Sequence, residues 1–211
     1  MVGILWDLDG TLLDTLQDLA DGVNHALRRF GYPERSLEEV RRFVGNGARN
    51  LICQAVPEGK DPEPVLAVFQ RFYAANCQIK TKPYDGIPEV LTRLGEKYPM
   101  AIVSNKPDNA VKPLCGRHFP GIFALGERPG CPRKPKPDMV WQAMKEIGAE
   151  SCIYVGDSEV DVLTAKNAGV PCLSVLWGFR DREEIEEAGG CHFCAHVNEL
   201  EEKLEKLIHG K

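Results

Sequence analysis

Asp7 and Asp9 stand two residues apart in Asp-Leu-Asp-Gly-Thr-Leu, residues 7–12, directly after the apolar run Val2-Gly-Ile-Leu-Trp6. Carboxylates at the end of a buried strand need a cation or hydrogen-bond donors to offset their charge. A divalent metal is the simplest partner, and a metal holding a phosphate against one acid is the chemically useful form. Three other segments carry matching chemistry. Ser104-Asn105-Lys106 follows the apolar run Met100–Val103, and Lys134 lies in Arg133-Lys-Pro-Lys-Pro-Asp138. Asp157 and Asp161 lie in Gly156-Asp-Ser-Glu-Val-Asp161, after Cys152–Val155. The inventory suits phosphoryl transfer. A carboxylate attacks phosphorus to form an acyl-phosphate, and a second carboxyl protonates the leaving oxygen and then activates water. A Ser hydroxyl and a Lys ammonium offset the charge on the transferring oxygens. Mg²⁺ takes one or two carboxylates together with phosphate oxygens. Each segment alone also fits a plain structural use. The acid pair suits a loop or cap, Pro a helix first turn, and Asp157 or Ser158 an N-cap. All four falling in order at strand ends favours a site.

Such a site needs strands that bring those ends together. Short apolar runs bounded by Gly, Pro or Asp predict strands at Val2–Leu8, Met100–Ser104, Ile122–Leu125, Cys152–Val155, Cys172–Leu176 and Cys191–Val197. Helical spacing of apolar residues predicts helices over Pro88–Tyr98, Asp138–Ile147 and Glu159–Ala168, with Gly169 as a stop, and a last amphipathic helix over Val197–Ile208. Strand–helix alternation of this kind gives a doubly wound parallel, Rossmann-like α/β sheet, and open sheets of that type place their sites at the carboxyl ends of the strands. Residues 15–81 break the rhythm. They hold helical patterns at Leu16–Phe30, Ser36–Phe43, Ala48–Ala55 and Val65–Cys77, with a capping box at Ser36 and Glu39. The expected organisation is a catalytic core of residues 1–14 and 82–211 with a small α-helical cap inserted at 15–81, over the two acids.

Taken together, the four segments resemble the haloacid dehalogenase superfamily of phosphohydrolases over almost the whole chain. Asp7-Leu-Asp-Gly-Thr-Leu looks like the first motif, Ser104 the second, Lys134 the third and Gly156–Asp161 the fourth. The helical insert, Ser104-Asn-Lys-Pro107, Phe43-Val-Gly-Asn-Gly47 and Trp177-Gly-Phe are similar to the phosphoglycolate phosphatase-like branch. The resemblance implies Asp7 as nucleophile and metal ligand, and Asp9 as general acid–base with its backbone carbonyl on the metal. It implies Ser104 and Lys134 on the phosphate, with Lys134 favoured over Lys136. Asp157 would be the metal-binding acid, and Asp161 would support the metal directly or through water. Gly10 backbone, Asn105 and Lys106 are further expected substrate contacts. The implied activity is Mg²⁺-dependent hydrolysis of a small phosphorylated metabolite, with a sugar-phosphate phosphomutase as the alternative. An acid at position 9 argues against dehalogenation, which has no leaving alkoxide to protonate. Lys60, Lys80 and Lys82 read as solvated rather than as a Schiff-base former of a phosphonate-cleaving relative. In the cap, Gly45–Asn50 opens a helix, and Gly47 with Arg49 is expected either to receive an anionic group of the substrate or to be a plain helix start with Arg49 in water. Trp6 is expected in the core.

The bulk numbers frame this reading. The chain has 211 residues, 43% apolar and 27% charged, with a formal net charge of −5. These values suit one soluble globular unit and argue against nucleic acid as a partner. No segment approaches the roughly 20 apolar residues of a membrane span. No signal peptide is apparent, so the cytoplasm is the expected compartment, and a monomer or weak homodimer the expected state. Of eight cysteines, six are scattered and read as free thiols. Cys191 and Cys194, near His192 and His196, either bind zinc or sit in a last short strand.

Overall fold

The computed structural model describes residues 1–210. Its first strand, β1 (Val2–Trp6), is buried on both faces. Ile4 and Trp6 pack into one apolar cluster and Leu5 into another. Side chains alternate along a strand, so apolar residues on both faces mean a strand covered on both sides. The short β2 (Leu13–Asp14) follows, and then four helices: α1 (Leu16–Arg29), α2 (Leu37–Phe43), α3 (Gly47–Ala55) and α4 (Glu63–Asn76). The chain returns through β3 (Lys82–Pro83), which pairs antiparallel with β2 and forms a stem beneath the helices. Asp18 ties α1 to that stem by accepting the backbone N–H groups of Lys80 and Thr81.

The inserted helices have their own packing logic. Leu19, Val23, Ala26 and Leu27 of α1 recur at helical spacing and are buried, as are Val65, Phe69 and Tyr73 of α4. Gly22 lets the two helices approach closely: a Cβ there would lie 3.0 Å from Phe69. The expected capping box opens α2, with Glu39 N–H donating to Ser36 Oγ at 3.2 Å and Ser36 N–H donating back to Glu39 Oε2 at 2.8 Å.

The remainder alternates: α5 (Ile87–Gly95), β4 (Met100–Pro107), α6 (Asp108–His118), β5 (Phe123–Glu127), α7 (Asp138–Glu146), β6 (Ser151–Gly156), α8 (Glu159–Ala168), β7 (Cys172–Val175), α9 (Arg182–Glu187), β8 (Phe193–Cys194) and α10 (Leu200–His209). The six long-range strands form one parallel sheet in the order β5-β4-β1-β6-β7-β8. From β1 the strand order proceeds to either side, through β4 to β5 and through β6 and β7 to β8, so the sheet is the expected doubly wound type.

Several element limits differ from the sequence reading for identifiable reasons. β1 ends at Trp6, not Leu8, because Leu8 begins a turn in which its carbonyl accepts the N–H groups of Leu12 and Leu13. β4 runs past Ser104 to Pro107, through an irregularity in its register with β5. Helix α6 was not expected: Pro113 sits inside it and removes one backbone donor. The helix survives because Ala110, Val111, Leu114 and Cys115 are buried. The strand expected at Cys191–Val197 shrinks to Phe193–Cys194, and the last helix begins with a 3₁₀ turn at Val197–Glu199. Trp6 is in the core, fully buried. No helix among the described residues is long and apolar enough to cross a membrane.

Candidate active site

Register places the chemistry. Trp6 of β1 pairs with Ile102 of β4 and with Val155 of β6. Asp7, Ser104 and Asp157 therefore lie side by side toward the carboxyl ends of three neighbouring inner strands. Asp7 N–H donates to the Val155 carbonyl at 2.8 Å. The chain then turns at Gly10, whose φ is +85°, and a Cβ at that position would collide with the Asp157 carboxylate.

Lys134 Nζ lies 2.7 Å from Asp7 Oδ1 and 2.7 Å from Asp161 Oδ1. The other oxygen of Asp161 accepts the N–H groups of Asp157 and Ser158 and the Ser158 hydroxyl. Asp157 is fixed from both sides: Thr11 Oγ1 donates to Oδ1 at 3.1 Å and Phe179 N–H to Oδ2 at 2.7 Å. Asp9 Oδ1 receives Thr15 Oγ1 at 2.6 Å and Lys106 Nζ at 2.8 Å. Among the described residues no donor reaches Oδ2 of Asp7 or Oδ2 of Asp9. Each acid thus keeps one oxygen for chemistry.

These groups open into a cavity of about 210 Å³. Its floor is polar, with Asp7, Asp9, Ser104, Lys134 and Asp157, while Leu19, Leu51, Phe69 and Tyr73 of the inserted helices form its roof. Three ties hold that roof to the sheet. Asn105 Nδ2 donates to the Gly45 carbonyl at 3.1 Å. Lys106 Nζ donates to Tyr73 Oη at 2.8 Å. Arg180 donates to the carbonyls of Arg41, Arg42 and Val44 and to Glu159.

The expected residues divide accordingly. Asp7, Asp9, Ser104, Asn105, Lys106, Gly47, Lys134 and Asp157 all line the cavity. Asn105 nevertheless spends its amide on structure, since it also donates to the Lys134 carbonyl and accepts the Lys134 N–H. Asp161 is fully buried behind Lys134. Lys136 is exposed, whereas Lys134 is buried. Two expectations need correction. Arg49 does not reach the cavity: its exposed guanidinium pairs with Glu63 at 2.7 Å, because α3 turns that face outward. Gly10 packs against Asp157 and Phe179 rather than lining the cavity, so its role is the turn. Cys191 is exposed, Cys194 is buried with its thiol donating to the His196 carbonyl, and no Cys–His metal cluster forms among the described residues.

The electrostatics bear on a metal. Asp7, Asp157 and Asp161 bring carboxylate oxygens within 4.8 Å of one another, all buried. Burial pushes the Asp7 carboxyl well above the usual carboxylate range; Lys134 opposes this, and the charges of Asp161 and Asp157 add to it. Burial likewise pushes Asp157 up to about 7, with Asp161 adding to the rise. Burial works against the charged form of Lys134, but Asp161 and Asp7 outweigh it and hold the ammonium protonated. One ammonium among three crowded acids leaves surplus negative charge, and hard oxygen donors in this number suit Mg²⁺. The carboxylate of Asp9 stands apart from this cluster, on Thr15 and Lys106.

Several participants escape a sequence reading. Thr11 and Thr15 carry hydroxyls at ordinary turn and helix-start positions. Tyr73 shares the apolar face of α4 with Phe69, which lies four residues earlier, so it reads as core. Arg180 follows Trp177-Gly-Phe, and nothing local announces that it reaches back to Val44.

A sequence model of the haloacid dehalogenase-like hydrolases matches residues 4–175, and the chain belongs to that family. Within it, the chain is similar to phosphoglycolate phosphatases. It is 36% identical over 200 residues to phosphoglycolate phosphatase 1 of Pseudomonas aeruginosa, covering 87% of this chain and 72% of the relative. It is 34% identical over 218 residues to the phosphoglycolate phosphatase of Mesorhizobium japonicum, covering 95% of each. Among solved structures, a candidate phosphoglycolate phosphatase from Lactobacillus delbrueckii subsp. bulgaricus superposes with a TM-score of 0.90 at 34% identity, over 96% of this chain and 97% of that one.

Proposed function

We propose that this chain is a Mg²⁺-dependent phosphatase of small phosphomonoesters, of which phosphoglycolate is the type, working through an aspartyl-phosphate. The observation that carries the reading is the pairing of Asp7 and Asp9 in one cavity, each with a free carboxylate oxygen and each fixed by a buried lysine. Asp7 Oδ2 attacks phosphorus and the ester bond breaks, while Asp9 gives its proton to the departing alkoxide. Asp9 then takes a proton from water, which attacks the acyl-phosphate, restores the Asp7 carboxylate and releases phosphate. Lys134 and Ser104 hold the phosphoryl oxygens against the charge that develops on them. Asp7, Asp157 and Asp161 would hold Mg²⁺, which when bound adds positive charge against those same oxygens. The inserted segment 15–81 acts as the cap that excludes bulk water. The cytosol is the compartment we assign, in keeping with cysteines that are all free.

The test is phosphate release from a panel of small phosphate esters, with Mg²⁺ and with EDTA, by the parent protein and by Asp7→Asn. Release that needs Mg²⁺ and falls by at least about 10³-fold in the variant, with the folded state retained, is the expected result. Undiminished release by Asp7→Asn, with the residue verified as Asn by mass, rules the mechanism out. Rearranged sugar phosphate without net phosphate release would identify a mutase instead.

A further inference from the structure

Among the eight thiols, Cys191 is the exposed one. It stands two residues before Phe193, the first residue of β8, where the turn that ends α9 delivers it. In that turn Gly189 N–H donates to the Glu186 carbonyl and Gly190 N–H to the Ile185 carbonyl, both at 2.9 Å. A Cβ at position 190 would lie 2.6 Å from Ile185, so the approach needs glycine. Across the sheet stands Cys172, the first residue of β7. The two strands pair in parallel at Ser174 with Phe193 and at Val175 with Cys194. The ladder also takes in His192, whose carbonyl accepts the Ser174 N–H at 2.8 Å. Cys172 and Cys191 each lie two residues before the pair of Ser174 and Phe193. A step of two keeps side chains on one face of a sheet, so the thiols occupy adjacent positions there. Cys172 Sγ indeed lies 3.9 Å from Ser174 Oγ. Burial pushes the Cys172 thiol up to about 12; Asp161 adds to the rise and so, less, does Cys191, an influence that needs the two sulfurs close together. Cys194 is no rival partner, because its buried thiol donates to the His196 carbonyl.

Neighbouring strands lie about 4.8 Å apart, within the Cα separation of roughly 4.4–6.8 Å that a disulfide spans. We propose that Cys191 and Cys172 form a dithiol–disulfide pair, closed by exchange with a small disulfide such as oxidised glutathione. Cys191 as thiolate attacks one sulfur of the small disulfide, whose S–S bond breaks and whose first thiol leaves with a proton. Cys172 then gives up its proton and attacks Cys191 Sγ, which breaks the mixed disulfide and releases the second small thiol. The two protein thiols lose two electrons, and the small disulfide gains them. Exchange enters at Cys191 because it meets solvent, whereas burial holds Cys172 protonated. In a reducing compartment the pair rests as free thiols, the form described here. The bond closes a loop over residues 172–191. That segment carries Phe179, whose N–H fixes Asp157, and Arg180, which holds the Val44 carbonyl of the inserted helices. Oxidation at this sheet edge therefore clamps a segment that shapes the candidate active site, without touching the cavity.

The experiment incubates the folded parent protein with oxidised glutathione, alkylates the remaining thiols with N-ethylmaleimide in acidic urea, and maps the peptides by mass without reduction. The expected product has lost two hydrogens and carries a bond between Cys172 and Cys191. Cys172→Ser should stop at a glutathione adduct on Cys191, and Cys191→Ser should leave Cys172 free to be alkylated. The parent protein alone decides the bond, so the result stands even if Cys172→Ser folds poorly. Closing the loop should raise Tm by at least about 5 °C over the reduced protein, reversibly with dithiothreitol. Amide exchange over residues 176–190 should slow in parallel. A parent protein that keeps glutathione on Cys191 while Cys172 is alkylated overturns the pair. A bond from Cys191 to Cys194, or no reaction at Cys191, overturns it equally. Linked protein with the Tm and the amide exchange of the reduced form overturns the clamp on the 172–191 segment.

Discussion

At Lys134 a single ammonium neutralises two buried carboxylates, Asp7 and Asp161, at 2.7 Å each. Removing one partner of a buried pair leaves charge without compensation, a loss of about 3–5 kcal/mol. Lys134→Met is therefore expected to lower the stability of the metal-free protein by roughly that amount. Mg²⁺ offers the same acids another cation, so the loss should be smaller when it is present. Urea unfolding of parent and variant in EDTA and in Mg²⁺ measures both quantities. An equal loss in the two conditions would place the metal away from Asp7 and Asp161. The residue also illustrates what a sequence discloses. Lys134 and the two aspartates of residues 7–9 are legible because each follows or precedes a strong local signal, an apolar run or a proline-fixed helix start. Tyr73 is not, because a tyrosine on an apolar helix face has the same pattern whether its hydroxyl meets Lys106 or nothing.

Among the elements, the end of α2 and the loop to α3 are held by one distant side chain. The last carbonyls of a helix lack intrahelical partners, and Arg180 meets those of Arg41 and Arg42 together with that of Val44 at 2.6 Å. A guanidinium presents several donors in a rigid fork, whereas an ammonium is a compact point that cannot span three carbonyls. Arg180→Lys should keep the charge and still free this segment. Faster amide exchange over residues 41–47 and a KM raised about 10-fold are expected, since hydrogen bonds to charged groups contribute about 1.5–3 kcal/mol. Exchange at the parent rate would show that the contacts are dispensable. The parallel sheet and the helical insert are legible in the sequence because periodicity is a local property. The ties between them join Asn105 to Gly45, Lys106 to Tyr73 and Arg180 to Val44, across long stretches of chain, and no local pattern encodes them. Helix α6 was hidden for a local reason, since Pro113 argues against a helix that tertiary burial nevertheless sustains.

For the whole molecule, proton and metal binding are linked through the buried acids. In the metal-free protein, burial and then Asp161 hold Asp157 at about 7, whereas an aspartate in the unfolded chain titrates near 3.9. Between those values the folded state binds more protons than the unfolded state, so this group makes the metal-free protein less stable as pH rises from about 4 to 7. Asp7 is shifted in the same direction and acts with the same sign. Mg²⁺ requires ionised carboxylates, so its binding must release protons below about pH 7 and grow tighter as pH rises through that value. A ligand that binds only the folded state stabilises it in proportion to the logarithm of its saturation. The increase in Tm on adding a fixed Mg²⁺ concentration should accordingly be small at pH 5.5 and larger at pH 7 and at pH 8. Titration calorimetry at pH 6.5 in two buffers of different ionisation enthalpy should detect the released protons directly. Asp157→Asn removes the titrating group, and its residual Mg²⁺ response should lose most of the pH dependence, keeping only the part due to Asp7. A Tm increase equal at pH 5.5 and pH 8 would mean that the metal does not enter among these acids, and would require a different cation to balance Asp7, Asp157 and Asp161 during turnover.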